Sequence, residues 1–436
     1  MRSVTVYRYR WVILAALMAT VMASEMQWLV LAPVSRAANY FYGAQIAPNS
    51  MISTDLLTLI HLISFVVVSI PISYIVTKVG LAFILRFSAL AIAVFSLIKG
   101  FYAHSFIAVV IAQIGLSVAY SAIMGNVTFV VARWFPLRER GFAIGLVSLT
   151  QYLGLFLIMI ISPKVVVNTP QALNYGEGIA KLLFYLGIIN AISAVAVFFL
   201  FKEKPPTVSS QEPFSMQSFP ISFGLLLRKK HMGGFVVIFG LVWGLFNVFV
   251  AKIDSITAFI GIENSNGVVG LALLGGGTVG SLIIPLLSDY LRKRKLFFII
   301  CMIGIFTGVL LFAFIPLIIK VNFFPLLIGF VAIIILGFFF QSIIPLGFQY
   351  ASELSYPVQE SSSQSVLLIN GHFIGAIILL SMNYKGGAFI EHVLIVSVAL
   401  LFAALFGVLF IKESPIIITE EERLKSAIEQ ESIRVK

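Results

Sequence analysis

The amino-acid sequence predicts an all-α integral membrane protein whose twelve transmembrane helices form two halves of six. The first observation is composition, because 60% of the 436 residues are hydrophobic and only 11% are charged. A soluble chain of this length needs far more charge to cover its surface. The second is that apolar runs of about 20 residues, long enough to cross a bilayer, recur along the whole sequence. The third is the distribution of basic residues between these runs.

Hydropathy places six spans before a polar segment and six after it. The expected spans are residues 10–37, 51–77, 81–101, 104–134, 139–164, 178–201, 232–260, 265–290, 295–319, 322–352, 361–384 and 388–411. The expected domains are an N-terminal half at 1–201, a cytoplasmic linker at 202–231, a C-terminal half at 232–412 and a cytoplasmic tail at 413–436. Proline, serine and glutamine dominate the first part of the linker, which is typical of a flexible connection.

The basic residues predict the orientation. With twelve spans, 22 of the 29 lysine and arginine residues fall in segments on the same side as both termini. Because cytoplasmic loops are enriched in lysine and arginine, both termini are expected in the cytoplasm. The net charge of +11 then marks topology and does not indicate nucleic-acid binding. The first apolar run, residues 11–33, is too long for the core of a signal peptide and is expected to be the first span.

Several chemistries have no support in the sequence. The single cysteine, Cys301, allows no disulfide within the chain. The sequence contains no Walker A motif, no HExxH and no cluster of cysteine and histidine, so we expect no enzyme, no cofactor and no metal site. Every lysine and arginine falls near the end of an expected span, which disfavours an anionic substrate.

Two polar loops resemble the loop signatures of the major facilitator superfamily, whose plan is two repeated six-helix halves. RWFPLRERGFA follows the fourth span, and its Arg138 and Arg140 are expected to bind carboxylates or the carbonyl groups at a helix C-terminus. SDYLRK follows the eighth span, and the resemblance implies that Asp289, with Arg292, latches the two halves together. Glu353, near the inner end of the tenth span, is a further candidate for this gate. The alternative is that the arginines only set the topology.

Four stretches support a narrower resemblance, to the feline leukaemia virus subgroup C receptor-related transporters. They are EMQWLVL in the first span, VVNTPQALN after the fifth, NGVVGLALLGGGTVGSLIIPLLSDYLRKRK around the eighth, and PLGFQYASELSYPVQESSSQSVLLINGHFIG from the tenth to the eleventh. The resemblance implies a secondary transporter of choline or ethanolamine. This family was earlier proposed to carry haem. We expect a multi-pass protein of the plasma membrane, and a monomer, as is usual in the superfamily.

Aromatic and amide side chains predict the substrate site. Trp28 and Trp243 lie deep in the first and seventh spans, which are equivalent in the two halves, and two tryptophans can form a cage for an organic cation. The resemblance carries Gln27, Trp28 and Gln151 over as family positions, and places Trp243 and His372 where the family has an aromatic residue and a glutamine. Asn247 is one turn beyond Trp243 and is expected to line the same cavity.

Glu25 departs from the family, whose choline carriers have no acid at this position. It is three residues from Trp28 and so shares its helix face, where a carboxylate beside an aromatic ring suits a cation. It could instead carry a proton, or be a protonated side chain hydrogen-bonded to a neighbouring helix. Two alternative functions therefore stay open. One is a carrier of haem, or of an amphipathic drug by proton antiport through Glu25, and the other is a receptor on the same fold that transports nothing.

Overall fold

The structure is a computed structural model that describes residues 7–46, 53–203, 224, 226, 228–259, 267–318, 324–355, 358 and 360–414. Most of the expected linker, and the tail from residue 415 onward, lie outside the described residues. Twelve segments of the described chain are helical, long enough and apolar enough to cross a membrane. The expected fold class is therefore confirmed, and we number these segments span 1 to span 12 in chain order.

The first six spans make up the N-terminal half. Their helices are Tyr9–Trp28 with the 3₁₀ turn Ala32–Val34 and Ser35–Phe41 (span 1), Asp55–Val79 (span 2), Leu81–Phe101 (span 3), Phe106–Met124 with Val127–Trp134 (span 4), Leu137–Val165 (span 5) and Ile179–Leu200 (span 6).

The last six spans make up the C-terminal half. Their helices are Met232–Ala251 with Ile253–Phe259 (span 7), Val268–Leu291 (span 8), Arg294–Ile318 (span 9), Phe324–Ser355 (span 10), Glu360–Asn383 (span 11), and Ile390–Leu409 after the short 3₁₀ turn Tyr384–Gly387 (span 12).

Spans 1, 4 and 7 are broken helices, which the hydropathy pattern did not predict. The break in span 1 begins directly after Trp28, and Pro33 is the second residue of the 3₁₀ turn that follows. Carbonyl groups freed by a break need new donors inside a membrane. Two polar side chains supply them, since Lys99 Nζ donates to Gln27 O at 2.7 Å and Ser162 Oγ donates to Val30 O at 2.7 Å.

Glycine allows spans 8 and 10 to pack closely. A Cβ atom on Gly280 would lie 2.2 Å from the carbonyl oxygen of Phe338, and one on Gly337 would lie 1.7 Å from that of Leu273. The glycine-rich stretch of span 8 is thus a helix-packing surface, as expected for small residues within a membrane helix.

Span 1 begins at one end of the bundle, and spans 6 and 12 finish at that same end. We call it the terminal end, and we call the opposite end of the bundle the far end. The two halves meet where span 2 packs on span 11 and span 5 on span 8. At the far end the short helices that complete spans 1 and 7 also touch each other. A central cavity remains between the two halves.

Candidate functional site

The central cavity has a volume of about 130 Å³. Spans 1, 2, 4 and 5 of the N-terminal half and spans 7, 10 and 11 of the C-terminal half line it. Its aromatic and histidine lining consists of Trp28, His61, Phe65, Tyr120, Tyr152, Trp243, Phe246, Phe348 and His372. A buried space with this many rings can surround a small organic molecule.

Six of the seven expected substrate-binding residues line this cavity: Glu25, Trp28, Gln151, Trp243, Asn247 and His372. Gln27 does not. Its side chain faces a separate small cavity behind Trp28, lined also by Gln113. Consecutive residues on an α-helix point about 100° apart, so Gln27 and Trp28 point in different directions. The role of Gln27 in substrate binding stays a prediction.

Glu25 is the centre of a hydrogen-bond cluster. Its side chain is buried, and its carboxylate accepts hydrogen bonds from Trp28 Nε1, from the hydroxyl of Tyr120, and from Gln151 Nε2 at 2.7 Å. Three donors on two oxygens suit a carboxylate, which only accepts. In the described part of the chain no lysine or arginine forms an ion pair with Glu25. The carboxyl group therefore orients the indole of Trp28 at the cavity wall.

A chain of rings joins the two tryptophans across the cavity. The rings of Trp28 and His61 stack with centroids 4.4 Å apart and planes at 12°. His61 lies 6.3 Å from His372, whose ring stacks on Phe65 at 4.2 Å and lies 6.1 Å from Trp243. The two halves thus share one aromatic wall, built from spans 1, 2, 7 and 11.

His61, Phe65 and Tyr120 are wall residues that the sequence did not assign to the site. His61 is a polar residue in an apolar span, and that signal alone marks a candidate functional position. Phe65 and Tyr120 carry no comparable signal, because aromatic residues are common throughout these spans.

Trp243 is positioned by a glycine on the neighbouring span. A Cβ atom on Gly371 would lie 2.3 Å from Cδ1 of Trp243, so only glycine leaves room for the indole. The ring also lies 5.9 Å from that of Phe246 and 6.1 Å from that of Phe348. Trp243 Nε1 and Asn247 Nδ2 are both buried and make no hydrogen bond within the described residues.

The loop between spans 4 and 5 binds a helix end. Arg140 donates through Nη2 to Ala132 O at 2.9 Å and through Nε to Phe135 O at 3.2 Å, which are carbonyl groups at the C-terminus of span 4. Glu139 pairs with Arg10 at 2.8 Å. The side chain of Arg138 lies outside the described residues. Arg140 thus takes one of the two roles expected for it, binding carbonyl groups at a helix end.

The described contacts of Asp289 and Glu353 stay within the C-terminal half. Arg294 pairs with Asp289 at 2.5 Å and with Glu353 at 3.3 Å, and donates to Ser288 Oγ at 3.1 Å. Arg292 ends the helix of span 8 with a φ of 53°. Asp289 thus pairs with Arg294 at the start of the next helix, and its role as a latch between the halves stays a prediction.

The far end holds the ion pairs that do cross between the halves. Arg36 Nη2 binds Asp254 Oδ1 at 3.0 Å, and the backbone N–H of Arg36 donates to Oδ2 at 3.0 Å. Lys252 Nζ donates to Asp55 Oδ2 at 2.7 Å and to Asn383 Oδ1 at 2.8 Å. The sequence showed these residues only as scattered polar positions near span ends.

Comparison with known proteins identifies the family. The model of the Major Facilitator Superfamily matches residues 6–380. The chain belongs to the Major Facilitator Superfamily. Among solved structures, this superfamily member resembles the D-xylose-proton symporter, with a TM-score of 0.70 at 14% identity, covering 93% of this chain and 99% of that one. It also resembles a bacterial homologue of the human lysosomal transporter Spinster, with a TM-score of 0.67 at 14% identity, covering 94% and 100%.

Curated relatives agree with the narrower resemblance read from the sequence. The choline/ethanolamine transporter FLVCR2 of Homo sapiens is 24% identical over 391 residues, covering 87% of this chain and 72% of the relative. The choline/ethanolamine transporter FLVCR1 of Mus musculus is 26% identical over 410 residues, covering 86% and 69%. The expected resemblance is confirmed, and the protein is a multi-pass membrane transporter and not an enzyme. These findings favour the transporter over the non-transporting receptor.

Proposed function

We propose that this chain transports a small organic cation, choline- or ethanolamine-like, across the plasma membrane as a monomer that works by alternating access. The observation that carries the proposal is the carboxyl group of Glu25, which is buried beside an aromatic wall and pairs with no described lysine or arginine. A quaternary ammonium offers a diffuse charge that aromatic faces stabilise, by about 2 kcal/mol or more when water is excluded. Trp28 and Trp243 would supply such faces from the two halves.

The size of the cavity supports a small substrate. A protein cavity of about 150 Å³ holds one benzene molecule, and the central cavity has a similar volume of about 130 Å³. Choline and ethanolamine are of that order, whereas haem, a tetrapyrrole, is several times larger. The haem alternative would need a much wider cavity than this conformation has. The names of the curated relatives, which are choline/ethanolamine transporters, support the same substrate class.

The distribution of ion pairs supports alternating access. The described ion pairs and side-chain hydrogen bonds that cross between the halves lie at the far end, at Asp254 and Lys252. The cavity, in contrast, reaches towards the terminal end, where Met124, Val127 and Thr128 line it. We interpret this conformation as closed at the far end. Opening that end to load substrate from the other side would require both cross-half pairs to separate.

A thermal-shift experiment tests the cage. Choline should raise the melting temperature of the purified protein, and Trp28→Ala and Trp243→Ala should each abolish that shift while the protein still elutes as a folded monomer. Trp11→Ala is the matched control, since Trp11 lies at the terminal end, 39% exposed, and packs on Phe135. An unchanged choline shift in both cavity variants would refute the cage.

Proton antiport through Glu25 is the second candidate function. It is supported by the other titratable side chains that lie near the carboxyl group. Tyr120 binds Glu25 directly, Tyr152, His61 and His372 line the same cavity, and Lys99 lies behind the break in span 1. If Glu25 carries the coupled proton, Glu25→Gln should make uptake independent of pH. A pH profile identical to that of the wild type would eliminate proton coupling through this residue.

A further inference from the structure

A lysine is fully buried inside the N-terminal half. Lys99 lies in the last turn of span 3, and its exposed fraction is 0%. Its Nζ donates to Gln27 O and to Gln113 Oε1, both at 2.7 Å, and no described carboxylate pairs with it. A lysine near the end of a span is expected to extend its charge to water. The structure encloses this one instead.

The contacts of Lys99 fit an uncharged amine. An amine has two N–H groups, and the two acceptors receive both of them. An ammonium has three donors, and the third would have no partner among the described residues. Burial away from carboxylates also favours the uncharged form, because a charged group loses its hydration there. Lys99 can therefore release and take up a proton while it keeps both of its hydrogen bonds.

A small polar cavity connects the surroundings of Lys99 with the central cavity. Its volume is about 10 Å³, which is room for one water molecule. The two residues that bind Lys99 line it, and so do Trp28, His61 and Tyr120. The last three also line the central cavity. A water molecule in the small cavity would give a proton a route between Lys99 and the central cavity.

Three other titratable side chains face this region from neighbouring spans. They are Glu25 on span 1, His61 on span 2 and Tyr120 on span 4. Span 6, which packs closely on span 3, contributes Asn190, a side chain that does not titrate. Lys99 differs from the three titratable residues because it does not line the central cavity. It can therefore hold a proton without occupying space that the substrate needs.

A positive charge on Lys99 opposes a positive charge in the central cavity. Lys99 contacts the first helix of span 1 at Gln27, whereas the central cavity contacts that helix at Glu25 and Trp28. The two charges would thus be separated by about 10 Å, the width of one helix. Like charges at that distance inside a protein repel each other enough to weaken binding about tenfold.

We propose that Lys99 binds the proton that this transporter exchanges for its cationic substrate. When the ammonium of the substrate enters the central cavity, protonated Lys99 releases one proton to water in the small cavity and becomes an amine. When the substrate leaves, the amine takes up one proton again, so one positive charge replaces another. This assignment rests on the proposed cation transport and deepens it, since it names the coupled ion and a carrier residue other than Glu25.

Isothermal titration calorimetry of the purified protein with choline tests the assignment. Titrations in buffers of different ionisation enthalpy give both the affinity and the number of protons released on binding. Between about pH 6 and pH 9, where a buried lysine can titrate, the wild type should bind choline about tenfold more tightly as the pH rises. The sign follows from the repulsion, since Lys99 is protonated at the lower pH. The wild type should also release part of a proton for each choline bound.

Two variants fix the charge at this position. Lys99→Met has no charge, so it should bind choline at low pH as tightly as the wild type does at high pH. Lys99→Arg is always charged, so at high pH it should bind choline about tenfold more weakly than the wild type. Neither variant should release a proton. Lys181→Met is the matched control, because Lys181 is an exposed lysine of span 6, and it should behave as the wild type.

The outcomes separate this assignment from the proposed function. If the wild type binds choline with the same affinity at every pH and releases no proton, the proton site is wrong while cation transport stands. The same holds if Lys99→Met still releases protons, which would assign them to Glu25 or His61, or if it binds choline more weakly than the wild type at every pH, which would make Lys99 a structural residue. If the wild type binds no choline at any pH, the proposed transport fails, and the proton site fails with it.

Discussion

The two ends of the bundle use charge in different ways. At the far end the ion pairs join the N-terminal half to the C-terminal half, and their carboxylates are buried, with side-chain exposures of 0% for Asp254 and 4% for Asp55. At the terminal end the described pairs join residues of a single half, and Glu139 and Glu203 are 39% and 41% exposed. The basic residues that predict the topology therefore have two different structural roles. Those at the far end hold the two halves together, and those at the terminal end orient helices within one half.

The largest effect is expected at Lys252. Lys252→Ala leaves Asp55 buried without its cation, which should cost about 3–5 kcal/mol in the free energy of unfolding. It should also open the far end. In a Cys301→Ala background, the reporter Thr58→Cys, at a position 4% exposed, should then react faster with a hydrophilic maleimide. Asp55→Asn combined with Lys252→Met should recover most of the lost stability, since no unpaired charge remains.

Lys252→Ala could instead lower the free energy of unfolding by less than about 1 kcal/mol and leave the maleimide reaction rate of the reporter unchanged. That result would contradict the inference that the pair of Lys252 and Asp55 holds the two halves together. The comparison between the two ends would then have no energetic basis.

The next largest effect is expected at Arg294, a buried arginine of the terminal end. Arg294→Ala leaves Glu353 largely buried and removes the partner of Asp289, which should cost about 2–4 kcal/mol. Because all these residues belong to the C-terminal half, the far-end reporter should not respond. A maleimide rate that rises as much as in Lys252→Ala would show that Asp289 and Glu353 do couple the halves.

A smaller effect is expected at Arg36. Its side chain is 32% exposed, and in Arg36→Ala the carboxylate of Asp254 still accepts from the backbone N–H of residue 36 and from Ser35 Oγ. We expect a loss of about 1–2 kcal/mol and a modest increase in reporter reactivity. Denaturant titration in detergent micelles measures the change in the free energy of unfolding. A decrease as large as that of Lys252→Ala would be inconsistent with the hydrogen bonds that Asp254 retains.

The smallest effect is expected at Glu203. Its pair with Arg133, at 2.9 Å, lies within the N-terminal half and is exposed on the glutamate side. Glu203→Gln should therefore change the stability by less than about 1 kcal/mol, the usual value of a surface pair, and should leave the reporter rate at the wild-type value. A larger change in the free energy of unfolding or in the maleimide reaction rate would contradict the inference that the pairs at the two ends have different roles.

Much of the fold could be predicted because each span carries its own signal. The expected span at 81–101 coincides with the helix Leu81–Phe101, and the expected span at 232–260 contains Met232–Ala251 and Ile253–Phe259. The break at Lys252 could not be predicted from hydropathy, since a single lysine near a span end is compatible with an unbroken helix.

The site was predictable to the extent that it follows helix periodicity. Glu25 and Trp28 share a face because they are three residues apart, and Trp243 and Asn247 because they are four apart. The same geometry directs Gln27, which the family resemblance had suggested, to a small cavity beside the central one. Tyr120, which binds Glu25, lies 95 residues away in sequence, and no local pattern indicates that contact.

The sequence by itself determined that this chain crosses the membrane as two sets of six helices, because a bilayer requires long apolar helices whatever their arrangement. It also determined which side chains lie together along one helix, such as the carboxylate and indole in ASEMQWLVLA. Only the tertiary structure decided that no described lysine or arginine pairs with Glu25, that His61 stacks on Trp28, and that Lys252 pairs with Asp55. Such facts depend on which helices touch and at what depth, and they determine what the cavity is able to bind.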